Sequence, residues 1–341
     1  MAHVSIDLPV YGLATPVTAA DGPPLLFVVI DTEEEFDWSQ PLSRERTSVD
    51  HLRRIDSLQR IFDRYDLQPT YVVDYPVASQ PNGFEPLRDI ATSGRAEIGA
   101  HMHPWVTPPL AEQVCGRNSF TGNLPVALQR QKLASLVAAI ESNLGVRPHS
   151  YKAGRYGIGR DTLPLLDAFG FEVDQSVMPH FDFRSEDGPS FMAFSAQPFL
   201  FGERRMLALP CSSGYVGAAG PAAQTLYDFA SSTVPSWLRL TGVVRRLGLA
   251  DRLVLSPEGY SLDDMRRLTH ALIADGTRVL TMTLHSPSIE PGHTPYVRSP
   301  AELAAFMDSI TAYLDFFFGD LGGATTTPRA FRQHILGTIT R

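Results

Sequence analysis

The chain has 341 residues, 43% of them hydrophobic, and a formal net charge of −8 at pH 7, which suits one large domain or two medium ones with an ordinary core. No Lys/Arg cluster is long enough for a nucleic-acid footprint, and no apolar run approaches a membrane span, so neither partner is expected. Cys115 and Cys211 lie far apart and form neither a disulfide framework nor a CxxC site; with no basic and apolar leader in "MAHVSIDLPVYGL", we expect reduced thiols in a soluble, cytoplasmic protein.

In chain order, "LLFVVI" (Leu25 to Ile30) is a continuous apolar run and predicts a strand buried on both faces. "TSVDHLRRIDSLQRIFDRY" follows, with a Thr47-x-x-Asp50 capping pattern and Leu52, Ile55, Leu58 and Phe62 on one helical face. "TYVVDY" (Thr70 to Tyr75) and "AEIGAH" predict the next strands. "LPVALQRQKLASLVAAIESNLG" predicts a helix behind Asn123, closed by Gly145. "SYKAG" predicts a strand, "RDTLPLLDAFG" a short helix with Pro164 in its first turn, and "FEVDQS" another strand.

Residues 178–224, rich in Pro, Gly and Phe, predict loops with irregular or antiparallel strands, and 225–252 predict helix. "RLVLS" reads as a short strand, and "SLDDMRRLTHALIADG" as a helix capped by Ser261 and Asp264. "RVLTMTLH" (Arg278 to His285) predicts a buried strand; Ser299, Pro300 and Glu302 then open a helix as N-cap, N1 and N3. This alternation argues for a mainly parallel α/β sheet, and six or seven βα units fit a barrel better than an open doubly wound sheet. No GxGxxG or GxxxxGK[ST] motif follows a strand, which removes the support for nucleotide binding.

A barrel places its chemistry at the C-terminal strand ends. There the sequence puts Asp31 and Glu33 ("VVIDTEEEF"), His101 and His103 ("EIGAHMHPW"), Arg155 ("YKAGRYG"), Asp174 ("VDQS") and His285 ("TMTLHS"). In a strand, i and i+2 share a face, so His101 and His103 could meet at one metal ion; the plainer alternative is a pair of solvated loop histidines. Arg155 could equally form a structural ion pair with Asp174, and His285 could be a core histidine. Glu34, Glu35 and Asp37 are expected to face solvent, with Glu34 or Glu35 able to replace Glu33 as a ligand. Trp38, Tyr75, Trp105 and Tyr156 beside the motifs could stack on a ligand's ring or simply pack.

This order of motifs resembles the NodB-homology polysaccharide deacetylases (carbohydrate esterase family 4), and among them the WalW-like branch. The resemblance runs from about Leu25 to about Arg298 and is strongest in "IDTEEEFDW", "PTYVVDYPVAS", "EIGAHMHPW", "AGRYGIG" and "LHSPSIEPGHTPY". It implies a distorted (β/α) barrel of about seven strands that hydrolyses N- or O-acetyl groups on sugars around a divalent metal. Asp31 aligns with the family's base. Glu33 stands in for a ligand Asp that is usually adjacent to the base, and the usual H-[ST]-x-x-H shortens to His101-x-His103. Arg155 maps to the Arg that pairs with the base, and Asp174 to the family's later Asp. Leu284 and His285 map to an apolar wall and a general acid, with His293 as the competing acid. Trp105, Tyr156, Asp174 and Leu284 form the expected substrate-binding set.

Zinc is the foremost candidate ion, although one carboxylate and two imidazoles also suit Co, Mn or Fe. The expected organisation is one catalytic domain over 1–341, with its core at about 25–298 and an irregular insertion at 178–252. The substrate is expected to be a carbohydrate or small amide, and nothing in the sequence specifies an oligomeric state. Two other readings compete: a catalytically silent carbohydrate-binding barrel, and a hydrolase of a non-sugar C–N amide bond.

Overall fold

The computed structural model describes residues 6–17, 22–36, 38–232 and 240–339; Asp37 lies outside them. Its large sheet has strands β1 (Ile6–Leu8), β2 (Gly12–Pro16), β3 (Leu25–Thr32), β4 (Thr70–Val73), β5 (Glu97–Met102), β6 (Ser150–Ala153), β7 (Val173–Asp174), β8 (Phe199–Phe201), β9 (Met206–Ala208), β12 (Val279–His285) and β13 (Ala324–Thr325). The strand order is β1-β2-β8-β9-β7-β6-β5-β4-β3-β12, with β13 beside β3. The run β12-β3-β4-β5-β6-β7-β9 is parallel throughout, whereas β8, β2 and β1 continue it antiparallel. A separate antiparallel pair joins β10 (Ser213–Val216) and β11 (Asp251–Val254).

Irregular backbone links this pair to the main sheet. Ser212 N donates to Thr281 O at 3.1 Å and Thr283 N to Leu255 O at 3.1 Å, while Leu255 N donates to Ser212 O at 2.8 Å. Within the span 178–252, β8 and β9 belong to the main sheet. Elements outside 25–298 also join it: β1 and β2 precede, β13 follows, and Phe331 of the helix Pro328–Ile339 packs on Phe27 with ring centroids 5.5 Å apart.

Strand alternation divides the sheet into two faces. Leu26, Val28, Ile30, Tyr71, Val73, Ile98, Ala100, Met102, Tyr151, Ala153, Leu280, Met282 and Leu284 face a core shared with the helices. The other face begins apolar at the N-terminal strand ends, with Phe27, Val173, Leu207 and Val279 in one cluster. Toward the C-terminal ends it turns polar: Asp31, His101, Lys152, Thr281, Thr283 and His285 occupy the same alternation. Gly99 sits on this crowded face, where a Cβ would fall 2.8 Å from Val72 Cγ1 and 2.9 Å from Ser150 O.

Local elements follow their sequence signals with some trimming. Helix Val126–Leu144 ends at Gly145 with φ 73°, the left-handed conformation glycine adopts freely. Ser261 and Asp264 form a reciprocal capping box on Leu262–Ala274, and Ser299 caps Pro300–Leu314. The helix expected from Thr47 instead opens as a 3-10 turn at Asp50–Arg54 and becomes α-helical only over Ile55–Asp63. The strand expected to reach Tyr75 stops at Val73, because Asp74 caps the helix Tyr75–Ser79 through Val77 N.

Candidate active site and metal centre

Strands β3, β5, β6 and β12 end around a cavity of about 690 Å³ lined by Asp31, Glu33, His101, His103, Lys152 and His285, among others. Asp31 and His285 are direct register partners on β3 and β12, as are His101 and Lys152 on β5 and β6.

Asp31 is buried, and both of its carboxylate oxygens accept from Lys152 Nζ, at 2.6 and 2.8 Å; the same ammonium donates to Thr283 Oγ1 at 3.0 Å. Burial alone would raise the Asp31 carboxyl. Lys152, His101 and His285 outweigh it and hold the group below its ordinary value. Burial would likewise lower the Lys152 ammonium, but Asp31 beside it raises it. Arg155, expected to take this role, lies elsewhere. It sits at the cavity edge with φ 53°, pairs with Glu186 and Ser119, and stacks 4.4 Å over the Phe120 ring.

Glu33, His101 and His103 come together with ligand atoms within 4.8 Å of one another. Glu33 Oε2 lies 3.4 Å from Nε2 of each histidine, and Glu33 Oε1 is buried with no hydrogen-bond partner. Each histidine uses its other nitrogen outward. His101 Nδ1 meets Lys152 O at 3.1 Å, and His103 Nδ1 meets Glu34 Oε2 at 2.8 Å. Acceptors at both Nδ1 atoms keep the protons there, so both Nε2 lone pairs face the Glu33 carboxylate. Burial pushes the Glu33 carboxyl up to about 8 against the opposing His285 charge. An orphaned carboxylate oxygen beside two inward lone pairs is the donor set a divalent cation takes.

His285 stands across the cavity. Its Nδ1 is 2.7 Å from Glu258 Oε2, its backbone N–H donates to Glu258 Oε1 at 3.1 Å, and its Nε2 is 3.7 Å from Asp31 Oδ2. Burial would lower the imidazolium, but Glu258, Glu33 and Asp31 push it up to about 9. Glu258 is buried and also accepts from Ser288. Neither Glu258 nor Lys152 was singled out in the sequence. Lys152 did carry a signal: it is a charge inside an otherwise apolar strand.

Other expected residues fall into two groups. Trp105 and Tyr156 line the cavity. Trp105 is also stacked on His103 at 4.2 Å with its indole N–H on Glu34 Oε1 at 3.0 Å, and Lys152 Nζ lies 5.2 Å over the Tyr156 ring. Asp174 and Leu284 are fully buried and lie outside the cavity. Both belong to the opposite strand alternation: Asp174 accepts from Tyr11 and Ser176, and Leu284 packs beside Ile30 in the helix-facing core. Tyr75 packs against that core too.

Trp38 lines the cavity, with its ring 4.8 Å from His285. The expectation that Glu34 and Glu35 face solvent is overturned. Glu34 is wholly buried against His103, Trp105 and Asp74. Glu35 pairs with His51 Nδ1 at 3.0 Å and Ser48 at 2.7 Å. His293, the competing acid, sits 3.9 Å from Glu35 and does not line the cavity.

No family model matches the sequence, and no curated protein matches it. Among solved structures, the chain is similar to a "putative polysaccharide deacetylase from Mycobacterium smegmatis", with a TM-score of 0.53 at 19% identity, covering 98% of this chain and 96% of that one. It also matches a family 4 carbohydrate esterase from Streptomyces lividans (TM-score 0.37, 10% identity, 85% and 88% covered) and a CE4 family pseudoenzyme from Bacillus anthracis (TM-score 0.39, 11% identity, 91% and 67% covered). The first likeness shows a shared α/β fold with a large, mostly parallel sheet. The other two are too distant to say anything of this chain's chemistry. Among the described residues, no helix is long and apolar enough to cross a membrane.

Proposed function

We propose that the chain is a metal-dependent hydrolase of the NodB-homology type that removes N- or O-acetyl groups from a sugar or glycan. In this reading it is one catalytic unit on a distorted barrel of about seven strands, with zinc the first candidate ion. One observation carries the proposal: a carboxylate and two inward imidazole nitrogens converge beside an ionised, Lys-held Asp31 and a cationic His285 in one cavity. Glu33, His101 and His103 would hold the ion, which would supply Lewis acidity to the reaction. Asp31 accepts the proton of the attacking water, and Lys152 keeps its carboxylate charged and aimed. His285, charged at neutral pH and tied to Glu258, donates the proton that lets the amine or alkoxide depart. Trp38 and Tyr156 flank the space in which the acyl group and its ring must fit.

A second reading, hydrolysis of a non-sugar amide, is favoured by a single feature. Away from the polar centre one stretch of the cavity wall is aromatic and apolar, with Phe36, Trp38, Pro41, Leu42 and Val114, beside Gln40, Arg155 and Glu186. Metal analysis of the purified protein, paired with acetate release from N-acetylated sugars, O-acetylated sugars and simple aryl acetamides, tests both readings. Stoichiometric metal and release from sugars support the first, and release from the acetamides alone supports the second. Metal-free protein that binds sugars without turnover overturns both in favour of the silent barrel.

A further inference from the structure

We propose that Glu34 is the positioning residue of the metal centre: its carboxylate holds His103 in the one tautomer that can ligate. This rests on the metal-centre reading above. Glu34 follows Glu33 in sequence but turns away from the cavity and is fully buried. One carboxylate oxygen lies 2.8 Å from His103 Nδ1, and the other accepts the Trp105 indole N–H at 3.0 Å. Indole nitrogen is only ever a donor, so that oxygen must be an acceptor. Glu34 N in turn donates to Asp74 Oδ2 at 2.9 Å, and Asp74 Oδ1 accepts from Val77 N at 2.8 Å. The backbone that carries the carboxylate is therefore itself pinned.

Two further contacts leave the His103 ring one seat. Trp105 stacks on it at 4.2 Å and 23°, and Gly154 lies so close that a Cβ there would fall 2.4 Å from His103 Cδ2. With the ring fixed, the proton decides its use. A proton on Nδ1 leaves Nε2 free toward Glu33, whereas a proton on Nε2 blocks it. Glu34 enforces the first arrangement because a carboxylate presents acceptors to both donors at once. A Gln at this position cannot, since its NH₂ must face either His103 or Trp105.

The same atoms of Glu34, Asp74 and His103 could instead surround a second ion; the close Nδ1 contact and the Trp105 N–H argue for the hydrogen-bonded arrangement.

The test titrates metal-free protein with zinc for the wild type, Glu34→Gln, Trp105→Phe and the double variant, and reads the His103 ring ¹⁵N shifts by NMR without metal. Glu34→Gln should weaken zinc affinity by about 10- to 100-fold and move His103 toward the Nε2–H form. Trp105→Phe keeps the stack and removes the rival donor. Adding it to Glu34→Gln should let the amide oxygen turn to His103, restoring most of the affinity and the Nδ1–H form. Wild-type affinity in Glu34→Gln, an unchanged tautomer, or a double variant as weak as the single overturns the proposal. So does a wild type that takes two zinc ions and loses one in Glu34→Gln. If the wild type binds no zinc at all, the hydrolase reading falls, while the ring shifts still decide whether Glu34 sets the tautomer.

Discussion

Lys152 Nζ bonds both oxygens of Asp31, at 2.6 and 2.8 Å, with the two side chains 1% and 6% exposed. A pair this dry is costly to break from one side, because the surviving charge stays buried without a partner. Lys152→Met should therefore lower stability by about 3–5 kcal/mol, read by urea unfolding at pH 7. The double variant Asp31→Asn/Lys152→Met should regain much of that loss and no turnover. The pH dependence has a definite sign. The Asp31 carboxyl is held below its ordinary value, so its contribution is present above pH 3.8 and is lost as pH falls through its folded pKa. Equal stability of Lys152→Met and wild type would show that the pair is solvated.

Arg155 provides the contrast. Its partner Glu186 is half exposed, and among the described residues no hydrogen bond or ion pair ties Arg155 to Asp31. Arg155→Ala should leave kcat nearly unchanged and raise KM by under about fivefold, as suits an exposed pair worth roughly 0–1 kcal/mol. Steady-state kinetics of Arg155→Ala beside Lys152→Met decides which cation supports the base; a collapse of kcat in Arg155→Ala would return the role to it.

What the sequence made legible follows from strand alternation. Asp31, Glu33, His101, His103 and His285 each sit at a strand end, and the parallel register brings those ends to one place. The same alternation argues against Leu284, which lies between Thr283 and His285 and so faces the other side, and against Asp174, which follows the inward Val173. Arg155 was misplaced because it lies past the end of β6, where a positive φ rather than strand alternation sets its direction. Glu258 was unreadable: it reaches His285 from the loop after β11, 27 residues away in sequence, and no local pattern announces such a contact. The burial of Glu34 has no local signal, because the cover comes from Asp74 at the end of β4.

Gly154, in "AGRYGIG", abuts the candidate metal centre. Its missing side chain makes room for the His103 ring, and a Cβ would also fall 2.6 Å from Met102 O. Gly154→Ala must displace either backbone or imidazole. Overpacking of this kind costs about 1–3 kcal/mol, and a shifted His103 should lose metal in parallel. Thermal unfolding and metal content of the variant measure the two effects; full metal occupancy with an unchanged melting temperature would mean the strand ends yield without moving the ligand.

Glu258 sets the charge of His285, and the pH profile should report it. With the imidazolium pushed up to about 9, His285 is protonated at neutral pH and able to donate. Its protonation also adds stability that is fully present below pH 6.5 and is lost as pH rises through about 9. The alkaline limb of kcat/KM should therefore lie above the ordinary histidine value in the wild type, held there by Glu258. Glu258→Gln keeps the shape and can still accept a hydrogen bond, but it removes the foremost charge that opposes burial. The limb should move downward, toward or below the ordinary histidine value. The shift should be substrate-dependent, because an acid matters most when the leaving group is poor. His285→Ala should cut hydrolysis of an N-acetyl sugar far more than that of an activated aryl acetate, whose phenolate departs unaided. His293→Ala, which removes a side chain outside the cavity, should spare both. Equal losses on the two substrates in His285→Ala, or an alkaline limb that does not move in Glu258→Gln, would assign His285 to binding or packing and leave the proton donor to be found elsewhere.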